Sequence, residues 1–160
     1  MRLTTYTDYA LRLLMYVALK DDGLATISEV AAGYGISKNH LMKVAHQLGL
    51  AGYVETVRGR SGGLRLAKPA NAIGLGDVVR DSEQDMALVP CFDPTDRSCA
   101  IRSCCTLRRA LGEASAAFLT VLDGYTLADL VKPRAPLARL LALAAPNRAH
   151  AAPAARKRAG

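Results

Sequence analysis

Two short helix patterns, joined by a single glycine turn and followed at once by a glycine-rich hairpin, fill residues 26–67 and leave few folds open. Thr26-Ile-Ser-Glu29 has the form of a capping box, in which a threonine hydroxyl and a glutamate carboxylate each satisfy a backbone donor left without a partner by the first helical turn. The helix that starts there turns Ile27, Val30, Ala31 and Tyr34 inward and stops at Gly35. Ser37 is a good N-cap for a second helix, whose buried face is Leu41, Val44, Ala45 and Leu48 and which is expected to end at Gly49. Two helices so closely joined make a helix-turn-helix. Tyr53–Val57 and Leu64–Ala67 are β-prone and flank the turn 58–63, so a hairpin follows, and a hairpin in that place is a wing. The expected fold class is mainly α: a winged helix-turn-helix with a β-hairpin wing, extended by a long C-terminal dimerisation helix.

Upstream, Tyr6, Tyr9, Ala10, Leu13, Leu14, Val17 and Ala18 recur at helical spacing between Thr4 and Leu19, with Leu11, Met15 and Leu19 on the opposite side. A helix apolar nearly all round needs cover on two faces, which predicts a position between its own domain and a partner subunit. Asp22-Gly23 is expected to break it. Downstream, Pro69-Ala-Asn71 reads as a linker, Leu75–Asp81 as a short helix, and Pro90–Thr106 as a loop carrying all four cysteines. From Leu107 the apolar positions 107, 111, 114, 118 and 121 alternate steps of four and three, the seam through which helices pair. Two heptads are short for a coiled coil, so a dimerisation helix and a core helix of the monomer both stay open. The expected division is 1–68, the DNA-binding domain; 69–106, a linker helix and cysteine loop; 107–145, the dimerisation helix and C-terminal segment; and 146–160, a disordered basic tail without periodicity.

Of the 160 residues, 51% are hydrophobic and 22% charged, which describes a folded chain rather than a disordered one. The net charge of +7 favours a polyanionic partner, although part of the excess sits in Arg156-Lys157-Arg158. Asp8 and Arg12 interrupt the early apolar stretch, and no apolar run has the roughly 18 residues that a spanning helix needs. A cytoplasmic protein with no membrane partner is expected.

On the second helix of the motif, Ser37, Lys38, Asn39, His40, Lys43 and Gln47 lie opposite the buried face. Lysine can donate to guanine acceptors, and asparagine or glutamine can pair with adenine, so this is a surface that can read double-stranded DNA. Arg58, Arg60 and Ser61 add a wing turn of the size that enters a minor groove. An enzyme is not expected: a cysteine nucleophile needs a converging histidine, but His40 and His46 lie on the reading helix and His150 in the tail.

In a reducing compartment, Cys91, Cys99, Cys104 and Cys105 read as metal ligands or redox thiols rather than disulfides. Seven residues separate Cys91 from Cys99 and five separate Cys99 from Cys105, so no Cys-x2-Cys pair of the kind zinc sites favour occurs. Three spaced thiolates suit an iron-sulfur cluster better, with a fourth ligand from elsewhere; zinc stays open. Adjacent side chains such as Cys104 and Cys105 point apart, so one of the two is a bystander.

The opening Met1–Arg12, Ile36–Lys43, Gly59–Ala67 and the cysteine pattern ending in Cys105-Thr-Leu107 together resemble the Rrf-type family of bacterial winged-helix regulators, from Met1 to about Val131. The resemblance is strongest to its nitric-oxide-sensing members. It implies a homodimeric repressor of palindromic operators, with Cys91, Cys99 and Cys105 holding a cluster, 4Fe-4S in preference to 2Fe-2S, and nitric oxide as the signal that releases DNA. It also matches Asp8 to an aspartate that supplies a fourth ligand from the other subunit in some members. A sister regulator of cluster assembly has a histidine three residues after its last cysteine; Arg108 stands here instead. Asp8 has a second reading, as a first-turn acid four residues before Arg12 that needs no metal. A repressor of the same fold that senses oxidants through cluster-free or zinc-bound thiols is the alternative.

Overall fold

The computed structural model describes residues 2–20 and 23–143; the tail expected at 146–160 and Asp22 of the expected helix break lie outside them. The first helix, α1 (Thr5–Leu19), is capped by Thr4, whose hydroxyl oxygen accepts from the amide of Thr7 at 3.3 Å. Its Ala10, Leu13 and Leu14 are fully buried. Helix α2 (Ile27–Tyr34) carries the expected capping box: Thr26 N–H donates to Glu29 Oε2 at 2.7 Å and Glu29 N–H to Thr26 Oγ1 at 3.2 Å. It closes at Gly35 in the left-handed region. Helix α3 (Lys38–Leu50) follows after a three-residue turn whose Ile36 is buried, and Ser37 sits at its N-cap without a side-chain capping bond.

The expected stop at Gly49 is early. The residue that takes the left-handed conformation is Gly52, at φ +73°, and Gly52 N–H reaches Gly49 O at 3.1 Å while Tyr53 N–H reaches Leu48 O at 2.9 Å. That pair of bonds is the Schellman closure, which places the helix end before Gly52 rather than at the first glycine met. Strands β1 (Val54–Val57) and β2 (Gly63–Leu66) then pair antiparallel, with Val54 opposite Leu66 and Thr56 opposite Leu64. Leu64 also exchanges two backbone bonds with Ala25, of 2.9 and 2.8 Å, which pins the hairpin to the segment leading into α2. At Gly62 a Cβ would lie 2.3 Å from Val57 O, so the turn closes only over glycine.

Beyond the wing come a 3-10 turn (Ala70–Ala72), α4 (Leu75–Ser82), a second 3-10 turn (Pro90–Phe92), α5 (Thr106–Asp123), α6 (Leu127–Leu130) and α7 (Arg134–Leu140). One core joins α1, α3 and the wing to Ile73, Val78, Leu127, Val131 and Leu141. The second face of α1, expected to require a partner subunit, is covered by the chain's own α4, α6 and α7, leaving Leu11 and Met15 partly buried. Arg134 donates to Ala18 O and Leu19 O, at 3.3 and 3.1 Å, where the carbonyls at the end of α1 favour a cation. Tyr53 OH donates to Asp81 Oδ2 at 2.6 Å and ties the foot of the wing to α4. No helix among the described residues is long and apolar enough to cross a membrane.

From Glu83 to Thr126 no residue is buried. Helix α5 packs along α4 and is held by an Arg80–Asp123 ion pair of 2.5 Å, so it is not a core helix of the monomer. The expected seam divides: Leu111 and Phe118 are half-buried, whereas Leu107 (66% exposed), Ala114 and Val121 (62%) are open, joined by exposed Ala110 and Ala117. Positions 107, 110, 114, 117 and 121 thus carry the alternation of three and four along an uncovered face.

Glu83 anchors the root of this coreless arm. Its Oε1 accepts from Thr4 N at 2.7 Å and from Thr4 Oγ1 at 3.1 Å, tying the end of α4 to the start of α1. Partial burial pulls the Glu83 carboxyl upward, but hydrogen bonds from Thr7 and Thr4 outweigh it and hold the group below its ordinary 4.5. The folded value is therefore lower than the unfolded one, and the tie contributes fully above pH 4.5 and is lost as pH falls through the folded value. Acid titration of the wild type should show a stability loss in that range that Glu83→Gln lacks; parallel curves for the two would show that Glu83 adds no such term.

Candidate nucleic-acid interface and cysteine centre

Leu41, Val44, Ala45 and Leu48 bind α3 to the core, and this fixes the opposite face toward solvent. Ser37, Lys38, Asn39, His40, Lys43 and Gln47 are all exposed on it, as are Arg58, Arg60 and Ser61 on the wing turn. Among the described residues, the side chains of Lys38, Asn39, Lys43, Arg58 and Arg60 make no hydrogen bond or ion pair, so their donors are free for phosphate or base edges. The sequence-predicted interface is thus brought together on one module. Sequence reasoning missed the link behind it: the Tyr9 ring of α1 lies 6.1 Å from the His40 ring, tilted by 32°, so α1 touches the reading helix directly. Tyr9 has no sequence signal beyond its place on the apolar stripe.

The four cysteines are free thiols; Cys104 is exposed, and Cys91, Cys99 and Cys105 are half-buried. Cys91 sits in the 3-10 turn Pro90–Phe92. Cys105 is the N-cap of α5, its Sγ accepting from Arg108 N at 3.4 Å. Cys99 borders an open depression of about 610 Å3 that is also lined by Arg97, Arg102, Ser103 and Arg108. Cys104 points elsewhere, its Sγ donating to Ile101 O at 3.5 Å.

Acidic groups of the loop are committed to its own backbone. Asp93 Oδ1 accepts from Thr95 Oγ1 and from Thr95 N, both at 2.7 Å, and Asp96 Oδ1 from Ser98 N at 2.8 Å, and bonds from Thr95 and Ser98 hold the two carboxyls below their ordinary value. What remains for a metal is a set of soft sulfur donors on a segment with no core packing to lose. That donor set fits an iron-sulfur centre and not a hard cation. Among the described residues, no group of three or more His, Cys, Asp or Glu side chains is gathered within the one chain. Asp8 accordingly stands apart from the cysteines on α1, where its Oδ1 takes a 2.9 Å bond from Arg12 Nε with both side chains half-exposed.

Residues 3–133 match the Rrf2 family, described as iron-dependent transcriptional regulators. The chain is 50% identical over 142 residues to the HTH-type transcriptional regulator NsrR of Bacillus subtilis, covering 88% of this chain and 97% of that protein. It is 49% identical over the same length to NsrR of Geobacillus kaustophilus, with the same coverage. Its fold is similar to that of CymR, the global cysteine regulator of B. subtilis, with a TM-score of 0.68 at 25% identity over 83% of this chain and 98% of that one.

Replacing Arg60 by Ala should weaken binding to specific and unrelated duplexes alike and lower the slope of log K against log salt by about 1. Asn39→Ala should instead relax base preference, by about 1–3 kcal/mol for a bidentate contact. Anisotropy titrations at several salt concentrations separate the two, and an unchanged slope in the Arg60 variant would remove the wing from the interface.

Proposed function

As the chain belongs to the Rrf2 family of iron-dependent transcriptional regulators, we propose that it is a cytoplasmic, nitric-oxide-sensing repressor. It binds palindromic operator DNA as a homodimer and is released when an iron-sulfur cluster on Cys91, Cys99 and Cys105 is nitrosylated. The observation that carries this reading is the arm from Glu83 to Thr126, which has three half-buried free thiols and no buried residue of its own. Such an arm gains order from what binds it, so a centre held there is felt along α5 and at the root of α4.

The open stripe from Leu107 to Val121 is the dimer face in this reading, and its alanines let two copies approach closely. A two-fold pair then presents two reading helices, and the operator consists of two half-sites about one helical turn, or a multiple, apart. When bound, the cluster would supply iron held by the three cysteines and by one non-cysteine ligand that a diatomic gas can displace; 4Fe-4S is the proposed form. Asp8 of the partner subunit would be that ligand, which would join the cysteine loop of one chain to α1 of the other. Within its own chain, Tyr9 beside Asp8 touches His40, and this contact carries movement of α1 to the reading helix.

The alternative is a thiol sensor of the same fold, cluster-free or zinc-bound, and its cluster-free form accords with the four free thiols. Colour separates the two readings. Anaerobically purified protein should be brown and lose operator affinity with nitric oxide; a colourless protein that releases DNA only on thiol oxidation would establish the alternative.

Cys91→Ala, Cys99→Ala and Cys105→Ala should each abolish the chromophore and weaken operator binding, whereas Cys104→Ala should leave both near wild type. Equal loss in all four variants would mean an all-cysteine site. Asp8→Ala should keep a cluster but change its absorption and circular dichroism bands. Bands identical to wild type would leave Asp8 as no more than the Arg12 partner, whose loss costs a few tenths to about 1 kcal/mol of stability.

A further inference from the structure

We infer that Arg108 is a positioning residue for the three-cysteine site, clasping the Cys91 turn to the start of α5. The inference rests on the assignment of Cys91, Cys99 and Cys105 as ligands. Among the described residues, Arg108 touches all three segments. Its Nε donates to Cys91 O at 3.2 Å, its amide donates to Cys105 Sγ at 3.4 Å, and its side chain lines the depression that Cys99 borders.

Helical geometry explains the double contact. Cys105 is the N-cap and Arg108 lies three residues on, so the two share one face of the first turn. The Cys105 sulfur thereby satisfies one of the amides that a helix start leaves unpaired, which also fixes its direction. An arginine in a first turn otherwise stands against the helix dipole, and the first turn of α5 has no acidic residue to offset it. What offsets that placement is the bond from Arg108 Nε to the Cys91 carbonyl. No other hydrogen bond among the described residues joins the Cys91 turn to α5. With nothing buried between Glu83 and Thr126, this bond sets the separation of Cys91 and Cys105 before any metal arrives.

The test uses the metal-free full chain in a Cys99→Ser, Cys104→Ser background, which leaves Cys91 and Cys105 as its thiols. Dibromobimane becomes fluorescent only when both arms alkylate thiols a few ångströms apart. Arg108→Ala should cut the bridging yield by about fivefold, while Arg108→Gln, which keeps an N–H donor without the charge, should stay within about twofold of the parent, as expected when a clasp sets an effective concentration. Single-arm alkylation by monobromobimane and the far-ultraviolet circular dichroism should be the same in all three, which separates positioning from folding. In the cysteine-complete protein, Arg108→Ala should lose the chromophore to a chelator several-fold faster than Arg108→Gln.

No bridging in the parent, bridging in Arg108→Ala equal to the parent, or equal loss in the Ala and Gln variants would overturn the clasp. The ligand assignment fails on a different result, a chromophore that survives Cys91→Ala, Cys99→Ala or Cys105→Ala, so the two failures are distinct.

Discussion

Ordering one residue's backbone costs about 1–2 kcal/mol, and the stretch from Glu83 to Thr126 has no buried side chain to offset that cost within its own chain. What holds it is peripheral: the packing of α5 on α4, the Arg80–Asp123 pair, the Glu83–Thr4 bonds at its root and the Arg108–Cys91 bond in its loop. The rest of the molecule is arranged around that shortfall. The winged module shares one closed core with α4, α6 and Leu141, whereas the arm has an open apolar stripe on one side and free thiols at its start. In the proposed function these two unfilled demands are met together, by a second copy and by a cluster. Losing either one then loosens the support of the other.

Helix α1 is the element through which such a change can be felt. It is the centre of the core, in contact with α2, α3, α4, α6, α7 and β2. Its start is tied to the root of the cysteine arm through Thr4 and Glu83, its middle touches the reading helix through Tyr9 and His40, and its end is held by Arg134. In the proposed function, a displacement at the arm root would be passed along this packed helix to His40.

The winged module was legible in the sequence because its signals are local. A capping box at Thr26, a glycine turn at Gly35 and a glycine-rich hairpin each act over a few residues, and all three stand in the structure. Local reasoning also erred locally: Gly49 looked like a stop, but the bonds from Gly52 and Tyr53 decide where α3 closes. The cover on the second face of α1 was assigned to another subunit because periodicity says that a face is apolar and not what lies on it; α4, α6 and α7 come from more than 50 residues downstream. Arg108 was visible only as a missing histidine. Its contact with the Cys91 carbonyl spans 17 residues of loop and has no signature in spacing.

The bonds between Leu64 and Ala25 carry a consequence for how such a module meets its operator. Leu64, one residue from the wing turn, is paired with Thr56 across the hairpin and with Ala25 on its outer edge, so this end of the hairpin is held against the entrance of α2. In the proposed function, wing and reading helix then act as one fixed gauge. A duplex whose minor groove is too wide or too narrow for that gauge has to deform to fit it, and stiff sequences resist deformation more than pliable ones. Preference among operators then extends to base pairs that no side chain touches, written in the flexibility of the DNA rather than in its hydrogen-bonding edges.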